Sequence, residues 1–253
     1  MPVPSQVIDT PPELFLVCLL TGHIFADFLV QTPRIAQTKG ESVSRLLLHG
    51  LLTWITHTLF VLPFWSRSVM IAVLLIALVH TLLDGIKGRL QGGRSGSLAV
   101  FFLDQGFHLA VLLAAWAFLV RLQPWNSALL ALEPSWMAPA GNWMLIATGL
   151  VFNGKGATAI VRLVLERFPE VVPRDGAGYN MGRTIGVLER ILIFILVLLN
   201  QWGALGLVLA AKSIARFKEL NVQHFADYYL IGTLTSLLVA IVTGVLVKAA
   251  LAF

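Results

Sequence analysis

Apolar stretches of about 20 residues recur along this chain, and an α-helix needs a stretch of that length to cross a bilayer. Of the 253 residues, 57% are hydrophobic and 12% are charged. That balance is too apolar for an ordinary soluble domain. The apolar runs are continuous and do not alternate, which disfavours a transmembrane β-barrel. The sequence therefore predicts an all-α fold, a polytopic transmembrane helical bundle.

We predict about eight membrane spans. The seventh is short and glycine-rich, and it follows the sixth after almost no loop. These two segments are therefore also compatible with a helical hairpin or a broken helix. The predicted spans are residues 12–32, 45–65, 69–88, 98–120, 143–165, 183–201, 203–218 and 225–250.

The basic residues explain the formal net charge of +5 without a nucleic-acid partner. Most of them lie in or beside the connections that follow the odd-numbered spans, whereas Arg67, Arg121 and Lys248 lie on the other side. The positive-inside rule makes the first side cytoplasmic and places both termini outside. The cytoplasmic set is Arg34, Lys39, Arg45, Lys87, Arg89, Arg94, Arg162, Arg167, Arg174, Arg183, Lys212, Arg216 and Lys218.

The same pattern divides the chain into three segments. Residues 1–121 are predicted to form a four-helix half rich in histidine and aspartate. Residues 122–142 form an external segment whose tryptophans and prolines suit the membrane interface. Residues 143–253 form a second four-helix half with buried lysine and arginine. Cys18 is the only cysteine, which excludes an intramolecular disulfide and a thiolate metal site.

The first half carries seven histidine and aspartate residues inside its apolar spans. Each such residue costs roughly 2.5–3.5 kcal/mol to insert into a membrane, so it usually faces the bundle interior and has a role there. Six of them form pairs four residues apart, a spacing that puts both members on one helix face. The predicted topology places all seven about 6–15 Å below the cytoplasmic surface. They are His23 with Asp27, His49, His80 with Asp84, and Asp104 with His108.

Imidazole nitrogen and carboxylate oxygen are ligands for a divalent metal, zinc first, with manganese or iron as alternatives. We expect His23, His49, His80, Asp104 and His108 to be metal ligands. Asp27 and Asp84 are the expected general bases. Seven groups also suit two bridged metals. Two other interpretations stay open: a proton or ion pathway, and intrahelical pairs that only hold helices together.

The second half carries cations inside its predicted spans. Lys155 lies near the middle of span five, a poor position from which a lysine reaches the membrane surface. Together with Arg183 and Arg190 it predicts a binding site for an anion such as a phosphate or carboxylate. The alternative is a buried ion pair between Lys155 and Glu189.

The motifs resemble those of an uncharacterised family of bacterial polytopic inner-membrane proteins. Its first-half pattern matches Gly22 to Gln31 (GHxxxDFxxQ), His80 to Asp84 (HxxxD) and Phe101 to His108 (FxxDQxxH). The second half is similar to an extension found in many members, which here reads GRTIGVLER, AKSIARFKE and YLIGTLTS. The resemblance implies a multi-pass protein of the bacterial inner membrane and brings no activity. There is also a more distant similarity to membrane-bound metal-dependent hydrolases.

We therefore expect a metal-dependent hydrolase that acts at the cytoplasmic side on an amphipathic anion, such as a phospholipid or a polyprenyl phosphate. The lipid bilayer is the expected partner, and the oligomeric state is left open. The alternative is a transporter of a metal ion or anion that uses the same layer as an ion or proton site. A third possibility is a non-catalytic membrane partner that makes contact through the tryptophan-rich segment.

Overall fold

The computed structural model describes residues 10–40, 42–91, 96–123, 136–170 and 176–251. Within these ranges every regular element is helical, as the sequence predicts. Arg94, Arg174, Trp125 and most of the predicted segment 122–142 lie outside the described residues. The helices are α1 (Pro11–Ile24), α2 (Pro33–Thr38), α3 (Val43–Val61), α4 (Arg67–Gln91), α5 (Leu98–Leu122), α6 (Met137–Val151), α7 (Ala157–Leu165), α8 (Gly176–Leu198), α9 (Trp202–Ala215) and α10 (Gln223–Leu251).

Short irregular helices extend several of these elements. Phe25–Val30 continues α1 as a π-helical segment, and Phe152–Gly156 joins α6 to α7 in the same way. Leu62–Phe64 and Glu219–Asn221 are 3₁₀ turns. A π-helical segment inside a helix is rare and is often found at functional sites.

Six helical segments of the described part are long and apolar enough to cross a membrane. They are Pro11–Val30, Val43–Phe64, Arg67–Gln91, Leu98–Leu122, Met137–Leu165 and Gln223–Leu251. Predicted spans six and seven correspond to α8 and α9, which are not among the six. The predicted count of eight spans and the side of the termini therefore stay predictions.

Large apolar side chains cover the outside of these helices. Leu78, Leu82 and Phe118 are 57%, 61% and 62% exposed. A soluble monomer rarely presents such continuous apolar surface, whereas a bilayer solvates it. Several helices of this length and surface are consistent with a multi-pass membrane protein.

The chain divides into two compact units, and the boundary falls within α6, between Thr148 and Gly149. In the first unit α1, α3, α4 and α5 form a four-helix bundle. Each helix packs against two of the others, in the cyclic order α1, α3, α4, α5. Adjacent helices run in opposite directions, so the ends of α1 and α4 lie beside the beginnings of α3 and α5.

Local signals set where these helices begin. The Glu13 carboxylate accepts a hydrogen bond from the Thr10 N–H at 2.9 Å, and prolines occupy the first two positions of α1. Both features are typical of helix starts. Ser97 caps α5 by accepting from the Val100 N–H at 3.3 Å.

The two ends of this bundle differ in chemistry. The end that holds the start of α1 is apolar, and there the rings of Phe15 and Phe64 meet edge to face, 5.2 Å between centroids. Buried Val69 and Leu119 continue this core. The opposite end contains the histidine and aspartate side chains.

In the second unit α10 packs along α8 and α7, and α9 packs against α8. Its apolar core contains Ile193, Val197, Leu205 and Ala240. Gly244 is required for the close contact of α10 with α8, because a Cβ there would lie 2.8 Å from Val197 Cγ1.

Candidate metal centre

The polar end of the four-helix bundle gathers the residues that the sequence places in one layer. His23 lies in the last turn of α1, and Asp27 lies in the π-helical segment that follows. His49 lies near the start of α3, and His80 and Asp84 in the second half of α4. Because adjacent helices run in opposite directions, these positions meet at the same end.

Four of these side chains meet around the Nε2 atoms of His49 and His80. The Nε2 atoms of His49 and His80 are 3.1 Å apart. His49 Nε2 lies 3.3 Å from Asp27 Oδ1 and 3.3 Å from Asp84 Oδ2. His80 Nε2 lies 3.2 Å from Asp27 Oδ1 and 3.4 Å from Asp84 Oδ2. The two histidine nitrogens therefore lie between two carboxylate oxygens that come from two different helices.

Hydrogen bonds alone do not account for this arrangement. A neutral imidazole has one N–H, and that N–H makes one good hydrogen bond. Each Nε2 atom here has three polar neighbours at 3.1–3.4 Å. Asp27 Oδ1, although two of these nitrogens face it, is buried and has no hydrogen-bond partner in the described part of the chain.

The same distances suit a cation. The Nε2 atoms of His49 and His80 and the Oδ1 atom of Asp27 form a triangle with sides of 3.1–3.3 Å. A zinc ion at its usual distance of about 2.0–2.1 Å from all three atoms lies just off the plane of such a triangle. His49, His80 and Asp84 form a second such triangle, so each triangle offers an ion three ligands.

Gln105 joins a third histidine to this cluster. Its Oε1 atom lies 3.3 Å from His23 Nε2, and its Nε2 donates to Asp27 Oδ2 at 3.3 Å. His23 is only 4.0 Å from the same Asp27 oxygen. Gln105 therefore fixes the orientation of both side chains, and His23 lies beside the four converging atoms.

His108 and Asp104 form the fourth side of the cluster. His108 Nδ1 lies 2.7 Å from the backbone oxygen of Asp104, and His108 Nε2 is buried without a hydrogen-bond partner among the described residues. Its ring lies 4.1 Å from that of His80, centroid to centroid. Asp104 accepts a hydrogen bond from Lys87 at 2.7 Å, so a cation of the protein already balances its charge.

Three overlapping groups within the described residues have ligand atoms within 4.8 Å of one another. Two of the groups share His80 and two share Asp84, so the cluster also has the composition of a two-metal site. They are His23 with Asp27 and His80, His49 with His80 and Asp84, and Asp84 with Asp104 and His108. A cavity of about 10 Å³ lies between His23, His80 and His108, close to the room that one water molecule requires.

Lys39 is a member of the cluster that the sequence did not assign to the site. Its Nζ donates to Asp84 Oδ2 at 2.6 Å, which is the oxygen that faces His49 and His80. Asp84 is 1% exposed at its side chain and Lys39 is 12% exposed. The family pattern that the first half resembles also contains a Lys-Gly step, here Lys39-Gly40, and this step was the available signal for Lys39. Lys87 was likewise predicted only to be one of the cytoplasmic basic residues and not to be part of the site.

His57 lies outside this cluster, more than two helical turns after His49 on α3. It is fully buried, and its Nδ1 lies 2.9 Å from the Thr53 backbone oxygen. It packs against Gly22, where a Cβ would lie 3.1 Å from its ring. These contacts are those of a packing residue.

In the second unit, only one of the three predicted anion-binding residues is buried. Arg190 is 2% exposed, whereas Lys155 and Arg183 are exposed. Arg190 donates to the Asn153 backbone oxygen at 2.8 Å, to Ser236 Oγ at 3.1 Å and to Thr158 Oγ1 at 2.5 Å. Its guanidinium therefore joins the π-helical segment, α7, α8 and α10 through neutral acceptors.

Glu189 pairs with a lysine that the sequence prediction did not consider as its partner. Lys212 of α9 donates to Glu189 Oε2 at 2.5 Å and to Thr233 Oγ1 at 3.0 Å. The Lys212 ammonium also lies 5.1 Å from the centre of the Tyr229 ring. This network links α8, α9 and α10, and neither Lys212 nor Thr233 was singled out as an anion ligand.

Residues 15–135 match the family model described as "Protein of unknown function (DUF3307)". The match covers somewhat less than half of the chain and lies within the first unit. It contains all seven histidine and aspartate residues of the cluster, and it assigns no activity to them. No curated protein and no solved structure matches the chain.

Proposed function

We propose that this chain is a metal-dependent hydrolase of the membrane whose metal centre lies at the polar end of the four-helix bundle. The observation that carries the proposal is that Asp27 Oδ1 and Asp84 Oδ2 each lie 3.2–3.4 Å from both His49 Nε2 and His80 Nε2, which are themselves 3.1 Å apart. Imidazole and carboxylate ligands favour zinc, with manganese or iron as alternatives.

This geometry supports a different division of roles from the one expected from the sequence. Asp27 and Asp84 join His49 and His80 as the proposed ligands. His23, Asp104 and His108 surround that set and are available to a second ion or to proton transfer. A bound divalent ion supplies Lewis-acid polarisation and lowers the pKa of coordinated water to about 7.

The residues around the proposed ligands suit the remaining parts of a hydrolysis. Gln105 orients His23 and Asp27 through the hydrogen bonds described above. His108 Nε2 has no hydrogen-bond partner among the described residues and belongs to a ring that lines the small cavity. That nitrogen is positioned to accept a proton from a water molecule in the cavity and to return it to a leaving group.

The substrate we propose is an amphipathic anion. The site lies in apolar helices, so a lipid reaches it from within the bilayer. Arg34, Arg45 and Arg89 are exposed at the same end of the bundle, where they attract an anionic head group. Binding of the anion by Lys155, Arg183 and Arg190 stays a proposal for the second unit, independent of the metal centre.

The decisive experiment compares two histidines of α3 that are both fully buried. His49→Ala removes a proposed ligand, and His57→Ala removes the same atoms outside the cluster. We expect elemental analysis of full-length protein, purified in detergent without chelator, to find metal in wild type and His57→Ala and to find it lost from His49→Ala. Well-folded wild type without metal, or equal metal in both variants, contradicts the metal centre.

A transporter of a metal ion is the second candidate, and one observation favours it. Asp27 lies in a π-helical segment within a membrane helix, and interrupted helices hold the ion sites of many transporters. Sealed vesicles separate the two functions. A hydrolase releases phosphate from a phosphatidic acid probe and loses that turnover in Asp84→Asn. A transporter instead moves zinc across the vesicle membrane without hydrolysis.

A further inference from the structure

An apolar groove of about 400 Å³ runs between α4 and α5. Its walls come from successive turns of both helices, between Ser68 and Val79 on α4 and between Val111 and Leu122 on α5. Every lining residue except Ser68 is apolar. The groove therefore offers a binding surface for hydrocarbon and lacks the hydrogen-bonding groups that a polar ligand needs.

The groove leads to the histidine cluster. Ile76 and Val111 line both the groove and the small cavity between His23, His80 and His108. An occupant of the groove therefore has one end next to the candidate metal centre and its other end near Ser68 and Leu122.

The length of the groove matches one leaflet. From Ser68 to Val79 the helix rises by about 16 Å, which is close to half of the roughly 30 Å hydrocarbon core of a bilayer. The histidine end lies toward the end of the bundle where Arg34, Arg45 and Arg89 are exposed. The groove begins at the depth of the histidine cluster and runs toward the opposite end of the bundle, so a chain in it extends away from these arginines.

We infer that the groove binds one hydrocarbon chain of an anionic phospholipid, with the head group at the histidine cluster and the chain end toward Leu122. This inference deepens the proposed function and rests on it for the identity of the reacting group. The substrate is then required to have a hydrocarbon chain about as long as one leaflet of the bilayer is deep.

Photo-cross-linking in nanodiscs tests both the site and the direction of the chain. The probes are two phosphatidylglycerols with a diazirine in one chain, either next to the head group or at the methyl end. We expect the first probe to label peptides near Val79 and Val111 and the second to label peptides near Phe118 and Leu122. Labels in the reverse order, or spread equally over the exposed helix faces, overturn the inference.

Two neighbouring alanines of α5 provide a matched pair of variants. Ala115 lines the groove, whereas Ala114 is exposed outside it. We expect Ala115→Phe to fill the groove and reduce labelling by about tenfold, and Ala114→Phe to leave it unchanged. Equal labelling in both variants overturns the inference, as does contact between two copies of the chain through this face in place of lipid.

Metal content measured on the same samples separates this inference from the proposed function. Metal retained in Ala115→Phe together with lost labelling supports the groove and leaves the metal centre intact. If wild type contains no metal but labels specifically in the groove, the hydrolase proposal fails and the lipid site stands. If metal is bound but labelling is nonspecific, the groove inference fails alone.

Discussion

Lys39 donates to the Asp84 oxygen that faces His49 and His80, so a cation of the protein lies where a metal ligand is proposed. In the absence of metal, this ammonium balances the charge of a nearly fully buried carboxylate. With metal present, Lys39 and the ion compete for the same oxygen. The contact therefore has opposite effects on the metal-free and metal-bound proteins.

We predict that Lys39→Met destabilises the metal-free protein by about 1–3 kcal/mol, because it leaves a buried carboxylate without its charged partner. The same change should increase the stabilisation gained on adding zinc, because ligands that bind only the folded state stabilise it by mass action. Thermal unfolding in detergent, with and without zinc, measures both effects.

Lys87→Met is the matched control, because Lys87 pairs in the same way with Asp104, which lies outside the four converging atoms. It should lower stability in the metal-free protein without increasing the response to a single zinc ion bound beside His49 and His80. An equal gain in zinc response in both variants would show that Lys39 has no special relation to the metal centre.

The partners of the polar residues could be predicted from sequence only in part. Depth along the predicted spans placed the seven residues in one layer. The spacing of four residues, however, suggested that each histidine pairs with the aspartate of its own helix. The structure gives shorter contacts between helices: His80 Nε2 is 3.2 Å from Asp27, whereas His23 is 4.0 Å from Asp27 in its own helix. The π-helical segment at Phe25–Val30 changes the helical phase of Asp27, and no spacing in the sequence shows that change.

At the scale of elements, a contact between two glycines holds the short helix α2 and its connection against α4. A Cβ on Gly88 would lie 2.5 Å from Gly40 Cα, which is backbone and cannot rotate away. This close approach brings Lys39, the neighbour of Gly40, to Asp84. Neither α2 nor this contact was predicted, because the pattern of apolar residues reports long helices and not short connections between them.

We predict that Gly88→Ala displaces this connection and destabilises the protein by about 1–3 kcal/mol, the usual cost of overpacking. The loss should appear in spite of the helix propensity that alanine adds. Because Lys39 moves away from Asp84, the variant should also acquire the larger zinc response of Lys39→Met. Thermal unfolding with and without zinc again provides the measurement.

Gly106→Ala is the control on α5, because a Cβ there has no neighbour within 4 Å. It should be neutral or stabilising, by up to about 1 kcal/mol. If Gly88→Ala is equally harmless, the glycine contact does not position Lys39.

At the scale of the whole molecule, the sequence predicted the helical class and the six apolar segments correctly, because length and hydropathy alone determine them. It could not decide whether α8 and α9 cross the membrane. Residues 191–211 contain no charge, and basic residues flank them at Arg190 and Lys212. A helical α9 of 14 residues, however, rises by only about 21 Å, less than the bilayer core. Both termini lie on the same side of the membrane whether α8 and α9 both cross it or neither does. The distribution of basic residues therefore cannot distinguish eight spans from six.

Gln201, between α8 and α9, distinguishes these topologies. In a Cys18→Ala background we predict that a cysteine at Gln201 reacts with a membrane-impermeant maleimide from the same side as one at Arg121, because eight spans place both outside. A cysteine at Asn221 should react from the opposite side in either topology. All three positions are exposed, so labelling depends on which side of the membrane each cysteine lies on and not on burial within the protein. If Gln201 labels with Asn221, α8 and α9 do not cross the membrane. If a cysteine at Gln201 labels from neither side, α8 and α9 form a hairpin within the bilayer. Either of these two outcomes shows that the predicted count of eight spans is wrong.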